Sequence, residues 1–222
     1  MDIRKTFHEH LREITDDVLV MGSMVEKAIG RSMDALKQRD LDIARQVIAN
    51  DASINSKRFD IEEKCIELIA TQQPMASDLR TIISVLNIIG ELERIGDHAE
   101  GNAKIAVMIG DEPPLKPLID LPRMAEKTAD MLRRSLDAFV HRDAEAARAL
   151  VAEDDEIDQL WDQVFRELLT FMAEDPRTMT RATRLIWAAH NLERSADRVT
   201  NICERVVFLV TGKMEEIGAS KY

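Results

Sequence analysis

The chain has 222 residues, enough for one large domain or two small ones around a substantial core. Apolar residues make up 45% and aromatics only 4%, and glycine and proline are scarce, a balance that favours helices over sheets. A formal charge of −11 argues against nucleic-acid backbones or anionic lipids as the main target, since both need clustered Lys and Arg, and leaves proteins or cations as partners.

The opening MDIRKTFHEHLREIT lacks the apolar core of a signal peptide. The longest uncharged runs, such as TIISVLNIIG, are about half of the ~20 residues that a spanning helix needs, so a soluble cytoplasmic protein is expected. In the first segment Phe7, Leu11, Ile14, Val18, Met21 and Val25 recur at alternating spacings of four and three, the seam of a helix packed as in a coiled coil. His8 and His10 read as surface residues. A second helix is predicted over 41–72 and a third over 76–109, separated by QQPMAS. The Pro-rich DEPPLKP at 111–117 interrupts the helical pattern. Helices over 118–141, 144–173 and 178–211 follow, the last two separated by AEDPRT.

The two halves repeat each other. RDLDIARQVIANDASIN at 39–55 aligns with RDAEAARALVAEDDEID at a shift of 103, and ELERIGDHAE at 91–100 with NLERSADRVT at a shift of 100. The predicted fold is all-α, a tandem repeat of two antiparallel three-helix bundles covering 1–112 and 113–222, because short connections join antiparallel neighbours. Cys65 and Cys203 stand alone in apolar patterns and read as buried reduced thiols.

Carboxylates interrupt these patterns at equivalent places. The middle seam of the first copy reads Val47, Asp51, Ile54, Arg58, Ile61, Cys65, Leu68; that of the second reads Leu150, Asp154, Ile157, Trp161, Val164, Leu168, Phe171. Asn55 follows Asp51 by one turn and Asp158 follows Asp154; on the third helices Glu93 precedes Asp97 and Glu193 precedes Asp197 by the same interval. Like charges at i and i+4 repel by a few tenths of a kcal/mol. In an antiparallel hairpin, residues at one height share a midpoint. Asp51 with Asp97 and Asn55 with Glu93 share Pro74; Asp154 with Asp197 and Asp158 with Glu193 share a point between Asp175 and Pro176. Each set of four thus forms a quartet at one level, roughly 30 Å from its turn.

Such groups need a positive partner. Either Arg58, Arg94, Arg194 and Arg198 pair with them, or a metal ion does. Oxygen ligands with at most one imidazole suit Mg²⁺, Ca²⁺, Mn²⁺ or ferric iron, and Zn²⁺ is compatible. His190, three residues before Glu193, and Asn201, four after Asp197, are weaker candidate ligands; the first copy has Gly90 and Gly101 in their places.

QQPMASDLRTIISVLNIIGELERIGDHAEGNAKIA, the DASIN and DDEID elements, and the closing NLERSADRVTNICERVVFLVTGK together resemble the PhoU family over essentially the whole chain. The resemblance implies two similar three-helix bundles whose E/DxxxD motifs hold iron or zinc, as single ions or multinuclear clusters. It also implies a non-enzymatic cytoplasmic negative regulator linking the phosphate ABC transporter to a phosphate-sensing histidine kinase. Such a protein would reach the membrane only through its partners, and a homodimer is compatible with it. Carried over by position, the metal residues are Asp51, Asn55, Glu93 and Asp97 in the first copy and Asp154, Asp158, Glu193 and Asp197 in the second. Asn55 departs from the expected aspartate, and Gly101 removes a donor, so the first site is expected to bind more weakly. Two other readings use the same carboxylates: a ferritin-like di-iron oxidase or iron store, whose Glu-x-x-His pairs are missing from the sequence, and a metal-free helical scaffold.

Overall fold

The computed structural model describes residues 3–217; residues 1–2 and 218–222, at the outer ends of the two expected repeats, lie outside that range. All regular elements among the described residues are helical. Helices α1 (Ile3–Gln38), α2 (Leu41–Gln72) and α3 (Ser77–Ile109) form one antiparallel bundle. Helices α4 (Asp120–His141), α5 (Ala144–Val151), α6 (Asp154–Glu174) and α7 (Met179–Thr211) form the other, with a 3-10 turn at Pro176–Thr178. The bundles join where α3 lies along α7 and α1 lies against α4.

The alternating seam of α1 is the seam that packs. Phe7, Leu11, Ile14, Val18, Met21 and Val25 are all buried, and the row continues through Ile29, Met33 and Leu36. Fully burying a side chain of this kind contributes about 1.5–3 kcal/mol. Gly22 sits in the contact between α1 and α4, where a Cβ would overlap Leu136 Cδ1. Cys65 and Cys203 are free and wholly buried, one in each bundle, and burial pushes both thiols up to about 12. His8 and His10 are exposed.

The turns that begin each middle helix are copies of one another. Arg39 and Arg142 both adopt left-handed backbone, at φ 59° and 53°, a conformation that costs an L-residue about 1–2 kcal/mol. The aspartate that follows offsets this by capping. Asp40 Oδ1 accepts from the amides of Asp42 and Ile43 at 2.9 Å each, and Asp143 Oδ1 accepts from those of Glu145 and Ala146 at 3.1 and 2.9 Å.

The single helix expected over 144–173 is instead two, α5 and α6, broken at Ala152 and Glu153. At the break the Leu150 carbonyl accepts from Glu153 N at 3.0 Å and the Glu153 carbonyl accepts from Glu156 N at 3.1 Å, tightening the chain into a turn. The Glu153 side chain faces α4, where Arg134 donates to both of its oxygens at 2.7 Å. Asp154, Asp155 and Glu156 then form the first turn of α6, where negative charge meets the positive end of the helix dipole. The first copy has no such break: α2 runs through Asp51 without interruption.

Candidate functional site

Both quartets assemble across their hairpins. In the first, Asp51 on α2 feels the charge of Glu93 on α3, and Asp97 feels Asp51 and Glu93. In the second, Asp154 at the start of α6 feels Asp158, Asp197 and Glu193. Charge is thus felt across both hairpins, although in the first Glu100 acts on Asp51 more strongly than Glu93 does.

The two quartets balance their charges differently. In the first, Asn55 Nδ2 donates to Asp51 Oδ2 at 2.8 Å, and Arg58 Nη1 lies 3.2 Å from Glu93 Oε1. An amide proton and a guanidinium thus take up part of the negative charge. Burial, then Glu100, raises the Asp51 carboxyl above the ordinary carboxylate range; burial, then Glu93, does the same for the exposed Asp97. Glu100 was not among the sequence candidates, although it lies three residues after Asp97 on the same face. Lys104 answers it at 2.6 Å.

The second quartet is the more deeply buried. Asp154 Oδ1 and Glu193 Oε2 are buried side-chain oxygens to which nothing donates a hydrogen bond. His190 Nδ1 comes within 3.1 Å of Glu193 Oε2, but without hydrogen-bond alignment. Burial, then neighbouring carboxylates, pushes Asp154 up to about 7 and Glu193 up to about 7. Asp197 is raised as well, again by burial first, with Arg194 and Arg198 opposing. Arg194 Nε stands 4.0 Å from Asp197 Oδ2, at the outer limit of an ion pair. Buried carboxylates that repel one another are the donor chemistry a hard metal ion takes. Among the described residues, no three Asp, Glu, His or Cys side chains are already gathered at metal-binding spacing.

The weaker candidates separate. His190 stays on the quartet face, its ring 5.6 Å from that of Trp161. Asn201 turns into the seam between the bundles, where its Nδ2 donates to Glu91 Oε2 at 3.2 Å. The glycine at 101 has a packing reason: a Cβ there would come 2.9 Å from Asn191 Nδ2, which itself donates to Asn102 Oδ1 at 2.9 Å. Glu91, two residues before Glu93, also holds Arg94 at 3.4 Å and Arg198 at 3.5 Å. Of the four arginines weighed as partners, Arg58 and Arg194 face the quartets and Arg94 pairs with Glu91, while Arg198 pairs with Glu91 and also acts on Asp197. His98, near Arg198 and Arg194, is kept neutral by burial, its pKa pushed down to about 4. The sequence offers no signal for these seam contacts, because each depends on a residue about 90 to 110 positions away.

Comparison with known proteins finds the same architecture. The PhoU domain profile matches twice, at residues 18–106 and 121–206. A phosphate-specific transport system accessory protein PhoU homolog of Clostridium acetobutylicum is 38% identical over 215 residues, covering 96% of this chain and 98% of the relative. The PhoU accessory protein of Escherichia coli K12 is 35% identical over 207 residues, 93% of this chain and 86% of the relative. The crystal structure of PhoU from Pseudomonas aeruginosa superposes with a TM-score of 0.89 at 36% identity, covering 93% of this chain and all of that one. The phosphate transport system regulatory protein PhoU of Streptococcus pneumoniae gives 0.88 at 31% identity, covering 95% of this chain and 99% of the other. With both copies of the domain matched and identity sustained across the tandem bundles, this chain belongs to the PhoU family.

Proposed function

We propose that this protein is a cytoplasmic regulator of phosphate uptake that acts by contact, linking a phosphate ABC transporter to a phosphate-sensing histidine kinase and holding phosphate-starvation genes silent when phosphate is ample. The observation that carries the reading is sustained similarity to accessory and regulatory proteins of phosphate transport, at 35–38% identity over more than nine-tenths of the chain. No described helix is long and apolar enough to cross a membrane, so association with the transporter would run through protein surfaces. An adaptor shifts a kinase only by binding its two signalling states with different affinity. Deleting the gene tests this: starvation genes become expressed in phosphate-rich medium, and co-purification from cells shifted between high and low phosphate recovers transporter and kinase. Normal repression in the deletion strain overturns the reading.

Within that role the second quartet is the metal site. Asp154, Asp158, Glu193 and Asp197 would hold the ion, with His190 at the rim, and the supporting observation is the pair of donorless buried oxygens on Asp154 and Glu193. The ion would supply positive charge that ties α6 to α7. Elemental analysis of metal-loaded protein checks this: Asp154→Ala and Asp197→Ala each lower the content, and the double variant loses little more because the two residues share a site. Unchanged content in all three leaves the metal-free scaffold.

A further inference from the structure

The two copies hold equivalent aspartates in different ways. Asp51 is the eleventh residue of α2, inside a helix that continues on both sides of it. Asp154 is the first residue of α6, directly after the break. Helix ends fray, and the first four amides of a helix have no partner within it. A carboxylate placed there is fixed only if its turn is held from outside.

The residue before such a turn is where a cap acts, as Asp40 and Asp143 do for α2 and α5. Glu153 stands at that place for α6 but makes no side-chain capping bond. Its carboxylate turns to α4 instead, where Arg134 donates to both oxygens at 2.7 Å and is itself steadied by Asp130 at 3.3 Å. Lys127, two turns earlier on α4, pairs with Glu156 in the same first turn of α6. In the first copy the equivalents of Arg134 and Glu153 are Arg31 and Asn50. There Arg31 donates to Gln46, five residues before Asp51, and the unbroken helix carries the aspartate by itself.

We propose that Arg134 is a positioning residue for the second quartet: by gripping Glu153 it seats the first turn of α6, and with it Asp154, against Glu193 and Asp197 on α7. The inference rests on the metal reading of that quartet. A bidentate guanidinium–carboxylate pair fixes direction as well as distance. Both side chains are about two-fifths exposed, so the pair contributes little to global stability and its effect is local. Charge alone makes the opposite prediction, since removing a cation beside a cation site relieves repulsion and tightens binding. Losing a positioning contact loosens it.

Mn²⁺ titrated into the chelator-stripped full chain, with Asp154→Ala identifying the second-copy class, reads that sign. Arg134→Gln weakens this class about tenfold, the size of effect that partners behind metal ligands have, and leaves the first-copy class unchanged. Glu153→Gln gives a similar loss, and the double variant adds little because both remove one contact. In metal-free protein, hydrogen exchange over residues 153–158 accelerates in Arg134→Gln and that over 50–55 does not. Glu153→Gln carries the test if Arg134→Gln unfolds. Wild-type binding with a second-copy class that Arg134→Gln leaves unchanged or tightens overturns the positioning role and leaves the metal reading standing. Unchanged exchange overturns the role as well, and so do additive losses, which would make Glu153 a ligand in its own right. A wild type that binds no Mn²⁺ overturns the metal reading and the role together.

Discussion

Asn55 donates its amide proton to Asp51 at 2.8 Å, whereas Asp158, the counterpart of Asn55, presents a carboxylate to Asp154. One atom pair thereby separates a quartet that is partly neutralised from within from one that holds four acids. A cation gains from each formal charge among its oxygen ligands. Metal titrated into chelator-stripped protein fills the second copy first, giving two classes of site, and Asn55→Asp strengthens the weaker class. Tightening at the second copy instead shows that the quartets are not independent sites.

The pH dependence of metal-free protein follows from the same groups. Asp154 moves from an ordinary 3.8 to about 7 and Glu193 from 4.5 to about 7, so the folded state binds protons more tightly than the unfolded chain. Their contribution to stability is full below about 4 and is lost as pH rises through about 7. Thermal melts in chelator show Tm falling between pH 5 and 8, and Asp154→Asn with Glu193→Gln flattens that slope. Bound metal reverses it, because the ion favours the ionised carboxylates.

Asp40 and Asp143 cap equivalent helices in different bundles. Replacing either with Ala removes two accepted amide bonds and costs about 1 kcal/mol. The pair adds, since the sites share no contact. Urea midpoints of the singles and the double measure this, and strong non-additivity would mean that the two turns communicate.

Gly22→Ala places a methyl against Leu136 in the packed contact between α1 and α4. The overlap costs about 1–3 kcal/mol, against which the better helix propensity of Ala returns roughly 1. A double-mutant cycle with Leu136→Ala isolates the clash as a favourable coupling between the two changes; zero coupling places the cost elsewhere.

Much of this arrangement is legible in the linear chain, for specific reasons. The seam from Phe7 to Val25 is read correctly because a long helix with one buried face has a strict period. The carboxylates of each hairpin come within electrostatic reach of one another because two helices of equal rise, folded at Pro74 or near Pro176, leave little freedom in what lies opposite. The break at Ala152 and Glu153 is not read, since no Gly or Pro marks it; its signal is the acidic run from Glu153 to Glu156, the composition of a helix's first turn. Gly101 and Asn201 look like a lost and a kept ligand until the bundles are brought together. Their roles then prove to be clearance for Asn191 and a bond to Glu91.

The two hidden thiols make each bundle its own reporter. Only the thiolate is nucleophilic, and both cysteines are shielded and pushed up to about 12, so an alkylating reagent reacts with them when the surrounding helices part. With the other cysteine changed to alanine, the labelling rate at Cys65 times the opening of the first bundle and that at Cys203 the opening of the second. Equal rates identify one cooperative body held together along α3 and α7, and unequal rates name the copy that lets go first.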